Sequence, residues 1–151
     1  MPSLSYYYGT DQISRCCDYS YNRVSHIYQL TRDKAESSAF LLFEEMIKEL
    51  ESFYFLENRQ DVEIFLGFNL FLMEILMDAP CQIVRIFGES VKLYLQLFID
   101  PEEDFEEIFI VIKNSFSPDE AIKRLNKLDD EWFLGIMDKT QGKLNITEGS
   151  L

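Results

Sequence analysis

Near residue 91 the apolar residues of this chain change their spacing from three and four to two, and that change restricts the fold more than any single motif. Between residues 34 and 57, Phe40, Phe43, Ile47, Leu50 and Tyr54 recur three and four apart, the spacing of a helix with one buried stripe. From Val91 onward the period is two. Val91, Leu93, Leu95, Leu97 and Ile99 alternate with Lys92, Tyr94, Gln96 and Phe98, as in a half-buried strand. Helices followed by strands predict an α+β fold.

The remaining elements fill in that plan. Residues 61–68 read as a short helix with Asn69 as its break or cap, and residues 70–77 as an apolar helix running into Asp78-Ala79-Pro80. Proline fits a first turn but not a helix interior, so Pro80 is expected to start a new turn or a kink. Gly88 ends that segment. A second strand carries Ile108, Ile110 and Ile112 on one face and Phe109 and Val111 on the other, and the short loop 100–106 predicts an antiparallel hairpin. Ser117-Pro118-Asp119-Glu120 combines an N-cap, a first-position proline and a capping-box acid. The helix it opens has Ala121, Leu125, Leu128, Trp132 and Ile136 on one stripe. Gly142 then precedes a third strand with Leu144 and Ile146. The expected architecture is N-terminal helices packed on a small ββαβ sheet unit, with a right-handed crossover if the last strand runs parallel to the second.

Charge divides the chain differently. Residues 1–33 hold Arg15, Arg23 and Arg32 against Asp11, Asp18 and Asp33, so the whole net charge of -13 belongs to residues 34–151, with 11 basic and 24 acidic residues. The first 33 residues are rich in Tyr and Ser and lack a sustained period. They read as an irregular or flexible tail ahead of a single α+β domain over 34–151, either an upstream extension or an aromatic docking arm. The acidic excess argues against binding phosphate backbones directly and against anionic membranes. No secretory signal is expected at the start, and the apolar stretch 64–77 is too short to span a bilayer. Three cysteines, two of them the adjacent Cys16 and Cys17, fit no common disulfide framework or zinc site, so a cytoplasmic location is expected.

From residue 62 to 148 the order Ile86-Phe87-Gly88, Asp100-Pro101-Glu102-Glu103, Ser117-Pro118-Asp119-Glu120-Ala121, Asp129-Asp130-Glu131-Trp132 and Gly142-Lys143-Leu144 resembles a group of small acidic, mainly cyanobacterial proteins with no known activity. Those relatives carry a Ser-Pro-Glu-Glu-Ala box, an acidic-Trp-Trp helix and a C-terminal Gly-Lys-Leu strand. Phe133 departs from their second Trp, and Gly135 from their usual Asp. The resemblance implies a bacterial α+β module and no chemistry.

Three groups of residues are candidates for function. Asp100, Glu102, Glu103, Asp104, Glu106 and Glu107 put six acids in eight residues, either a solvated hairpin loop or oxygen ligands for a divalent cation. Asp129, Asp130 and Glu131 form a second acidic run beside Trp132, a potential partner anchor. Tyr94, Phe98, Phe109 and Val111 share the sheet face opposite the Leu and Ile rows. Either a helix such as 34–57 covers them or they form an exposed patch that binds a partner. Cys81 has no His companion outside the tail, where His26 lies, so a buried structural thiol is expected rather than a nucleophile. Scattered glycines give no phosphate loop. The expectation is therefore a non-enzymatic module without a cofactor. Its partner would be a basic protein met through Tyr94, Phe98, Phe109 and residues 129–132, or a second copy packed across the sheet face. The alternative is a cation-binding protein, or a cation-dependent enzyme, using Asp100, Glu102, Glu103, Asp104 and Glu106.

Overall fold

The computed structural model describes residues 36–151. The expected tail over 1–33 lies outside these residues.

Helix α1 (Glu36–Glu51) buries Met46, Ile47 and Leu50. It stops six residues before the expected end. The Ser52 and Phe53 amides donate to the Glu49 and Leu50 carbonyls, and the chain then extends into strand β1 (Tyr54–Leu56). Tyr54 continues the helical spacing in sequence, yet it belongs to a strand. Asn58, in the left-handed region at φ 50°, turns the chain into α2 (Arg59–Phe68). Asn69 ends α2 as expected, its side-chain amide donating to the Phe65 carbonyl at 2.8 Å.

Helix α3 (Leu72–Phe87) continues through Pro80 without a break, so no new helix starts there. Proline has no N–H for the carbonyl four residues back, which would leave the Leu76 oxygen buried and unpaired. The Tyr54 hydroxyl fills that role, donating to the Leu76 carbonyl at 2.6 Å. A residue on the edge strand thus repairs the helix at its proline. Gly88, at φ 87°, then ends α3 in a conformation that glycine adopts without strain.

Strands β2 (Lys92–Asp100) and β3 (Phe105–Asn114) pair antiparallel from Lys92↔Lys113 to Asp100↔Phe105, the expected hairpin. In the loop, Asp100 Oδ1 accepts from the Glu102 and Glu103 amides at 2.9 and 3.3 Å. Helix α4 (Pro118–Leu128) opens on the expected cap, with the Glu120 amide donating to Ser117 Oγ at 3.4 Å. A π-helical turn (Asp129–Phe133), a short helical turn and a 3-10 turn follow, and β4 (Leu144–Ser150) closes the chain.

The sheet order is β1-β2-β3-β4, with β1 parallel to β2, and β4 parallel to β3. The α+β class holds. The sheet has one strand more than the ββαβ unit, because the segment joining the N-terminal helices contributes β1. The core gathers Leu50, Tyr54, Leu66, Leu72, Leu76, Ile83, Leu93, Leu95, Ile108, Ile110, Ile112, Leu128, Leu144 and Ile146 into one cluster. It therefore contains one face of the sheet and the apolar stripes of α1 to α4. Among the described residues, no helix is long and apolar enough to cross a membrane.

Candidate interaction surface on the open sheet face

Alternation along a strand sends every second residue to the face away from the core. Register places Phe55, Tyr94, Val111 and Thr147 in one row across all four strands, Gln96, Phe109 and Asn145 in the next, and Phe98 opposite Glu107 beyond them. None of these residues belongs to the core cluster. Of the two readings of this face, the second applies to the described residues: α1 packs its stripe into the core on the other side and leaves the aromatic rows uncovered. Phe55 keeps 57% of its surface in solvent and Phe98 49%. Tyr94 and Phe109 are half-buried, and Val111, between Tyr94 and Thr147, is buried, with 6% of its surface in solvent.

The rings are arranged in pairs. Phe55 stacks on Tyr94 with centroids 5.0 Å apart and planes at 27°, while Phe98 meets Phe109 edge-on at 6.1 Å and 85°. Both are favourable aromatic geometries, and paired rings form a stiff platform that loses little side-chain entropy on binding. Lys113 Nζ lies 5.9 Å from the centre of the Tyr94 ring. Gln96 donates to Glu57, bracing β2 against the end of β1.

The far end of this face is a projection. β1 pairs with β2 only at Leu93–Leu95, and β4 pairs with β3 from Ile108 onward. Phe98–Asp100 and Phe105–Glu107 therefore extend past the pairing of both neighbouring strands, and Lys143 reaches them with its ammonium 3.3 Å from the Glu106 carbonyl and 5.0 Å from the centre of the Phe105 ring. Phe98 and Ile99 are exposed on the two sides of this hairpin end, and its loop holds Glu102, Glu103 and Asp104 in solvent. Glu107, opposite Phe98, is held above the ordinary carboxyl range by burial.

The acids suggested as cation ligands, Asp100, Glu102, Glu103, Asp104 and Glu106, do not form such a centre. Among the described residues, no group of three or more His, Cys, Asp or Glu side chains is gathered so that it could hold a metal ion. Asp100 is spent on the turn, and the extended backbone spreads the others along the strand and around the tip.

The second acidic run lies elsewhere. Asp129, Asp130, Glu131 and Trp132 occupy the π-helical turn in the helical layer, so they do not share a surface with Tyr94, Phe98 and Phe109. Trp132 is half-buried. Its indole N–H donates to Asp78 Oδ2 at 3.1 Å, its ring lies 6.2 Å from that of Phe133, and it packs on the core. Glu131 pairs with Arg85 at 3.3 Å and Lys127 at 3.8 Å. The Asp78 and Arg85 contacts tie the turn to α3, which is a structural task rather than that of a free anchor. Burial, and then the neighbouring Asp130, raise the Asp129 carboxyl above its usual range. Cys81 is buried as expected, but its sulfur is engaged in a disulfide and is not a thiol.

Phe55 is the residue of the platform that the sequence concealed. It lay inside an apparent helix, and an apolar run of three residues carries no period of its own. The chain matches no protein-family model, no curated protein and no solved structure. The resemblance to small cyanobacterial proteins stands on its motifs alone.

Proposed function

We propose that this chain is a non-enzymatic interaction module that binds a basic protein on the open face of its sheet. The observation that carries the reading is the uncovered aromatic platform, Phe55 with Tyr94 and Phe98 with Phe109, continuing into a projecting acidic hairpin end. The rings would supply affinity by apolar contact and by stacking under Arg or Lys side chains. The carboxylates of the loop would steer a cationic partner toward them and repel acidic competitors. The excess of acids over the whole chain acts in the same direction.

The test is capture from the native host on immobilised full-length chain, comparing the wild type with Phe98→Ser and Phe55→Ser. A basic protein retained by the wild type, lost from both variants and released between about 0.1 and 0.5 M salt is the expected result. Retention that is equal on all three proteins would overturn the reading. So would a wild-type dimer that both variants convert to monomer, because the face would then belong to a second copy.

A further inference from the structure

Part of one sheet edge has no strand beside it. β1 covers β2 only at Leu93–Leu95, and the Glu57 amide then donates to the Leu95 carbonyl at 2.9 Å. Past that bond the chain turns at Asn58 into α2. In an antiparallel ladder, residues alternate between bonding to the partner strand and pointing both backbone groups away from it. The Leu95 carbonyl points toward β1. The amides and carbonyls of Leu97 and Ile99 therefore point to the same side, away from β3. Among the described residues, no backbone or side-chain group bonds to them there. Exposed apolar side chains flank this edge on both faces of the sheet, Phe98 at 49% and Ile99 at 54%.

The opposite edge of the same hairpin end is guarded. There the Ile108 amide donates to the Lys143 carbonyl at 2.8 Å, and the Lys143 ammonium caps the Glu106 carbonyl. A lysine at a strand edge discourages the addition of another strand. Leu97 and Ile99 have no such guard, since no Lys or Arg side chain among the described residues bonds to them. The charges around them are negative. Asp100 follows Ile99, and Glu102, Glu103 and Asp104 form the exposed loop beyond it. No ion pair among the described residues engages any of these four acids. Glu57 stands at the other end of the open stretch, accepting from Gln96. A second copy pairing its own β2 edge antiparallel to this one would bring its loop acids up to Glu57, and like charge opposes that arrangement.

We propose that the β2 edge at Leu97–Ile99 takes up an extended basic segment of the partner protein as an added strand, in line with β1. The backbone of that segment completes the hydrogen bonds of Leu97 and Ile99. Its alternate side chains cover Phe98 on the open face and Ile99 on the other, and its Lys or Arg residues meet Asp100 and the loop acids. The inference rests on the proposed basic partner and adds the manner of its attachment: the rings hold a surface, and the edge holds a backbone.

A capped hexapeptide of alternating lysine and valine tests this on the full-length chain, with a glutamate–valine hexapeptide as the control. Amide hydrogen exchange is followed by NMR. At saturation the lysine peptide should slow exchange at Leu97 and Ile99 by about tenfold or more, and leave Gln96 and Phe98, already bonded to β3, unchanged. The glutamate peptide should protect neither. Ile99→Pro removes the outward N–H while sparing the ladder to β3, and should weaken binding of the lysine peptide by about tenfold. Ile99→Val keeps the N–H and should bind like the wild type. The exchange measurement uses the wild type, so it decides the matter even where Ile99→Pro does not fold. A lysine peptide that shifts Phe98 and Phe109 without protecting Leu97 and Ile99 would overturn strand addition and leave the aromatic platform standing. Absence of binding up to about 1 mM peptide would overturn it as well, while capture from the host still judges the basic partner separately. Protection of the two amides that grows with protein concentration, without peptide, would assign the edge to a second copy instead.

Discussion

The two faces of the sheet are built from the same strands and similar residue types, yet they have different fates. On one, Leu93, Leu95, Ile108, Ile110 and Ile112 are all but completely buried. On the other, Phe55 and Phe98 keep about half their surface in water. Intrinsic strand preference does not separate them, because both faces are rich in aromatic and branched residues. The difference arises from the connections. The two parallel pairings, β1 with β2 and β3 with β4, are each bridged by helices, and α1 to α4 all bury their stripes in one cluster with the same sheet face. Apolar content on a strand shows that it can be covered; the crossovers decide which side is.

The strongest way to break this comparison is to remove equivalent bulk from each face. Ile110→Ala should cost about 2–5 kcal/mol, because the cavity it leaves is enclosed. Urea unfolding followed by circular dichroism checks this. An effect below that range would mean that the core face is less tightly packed than its burial indicates.

Next in size is the link between β1 and α3. Tyr54→Phe removes the donor to the Leu76 carbonyl and should cost about 1–3 kcal/mol, the penalty for a buried polar group left unpaired. In the Tyr54→Phe background, Pro80→Ala restores a backbone N–H to the helix and should recover much of that loss. The double-mutant cycle measures the coupling. Additive effects would mean that the Tyr54 hydroxyl does not serve the proline break.

On the open face the expected change is near zero. Phe98→Ser should alter stability by no more than about 0.5 kcal/mol in the same urea experiment, as surface substitutions usually do, while removing partner binding. A loss as large as that of Ile110→Ala would show that the open face contributes to the fold.

The smallest effect concerns pH. Burial and Asp130 raise the Asp129 carboxyl in the folded protein, so folding favours its protonated form. The cost of keeping it ionised is present at neutral pH and disappears as the pH falls through the raised folded value toward the ordinary one. Asp129→Asn should therefore melt slightly above the wild type near neutral pH, and the difference should close on acidification. Equal melting temperatures at neutral pH would contradict the raised value.

Much of this architecture was legible before the structure. The Ser117 cap depends only on residues three apart, and the hairpin register follows from two alternating runs joined by a short loop. The membership of Tyr94, Phe98 and Phe109 in one face follows from parity alone. β1 was hidden because Tyr54 sits four residues after Leu50, and three residues are too few to display a period. Trp132 looked like an anchor because its bond to Asp78 joins positions 54 residues apart. The two acidic runs looked like one charged surface because a sequence carries no information about which layer each occupies.

By itself, the sequence determined the local matters: where helices give way to strands, which residues cap and turn, and which side chains share a strand face. Each is set by backbone sterics and hydrogen bonds within a few residues. Only the tertiary structure decided that, among the described residues, the helices lie on one side and the aromatic face stays open, and that a tyrosine on an edge strand carries α3 through Pro80. Those outcomes depend on contacts between segments distant in the chain, where the burial of one face is bought by leaving the other to water.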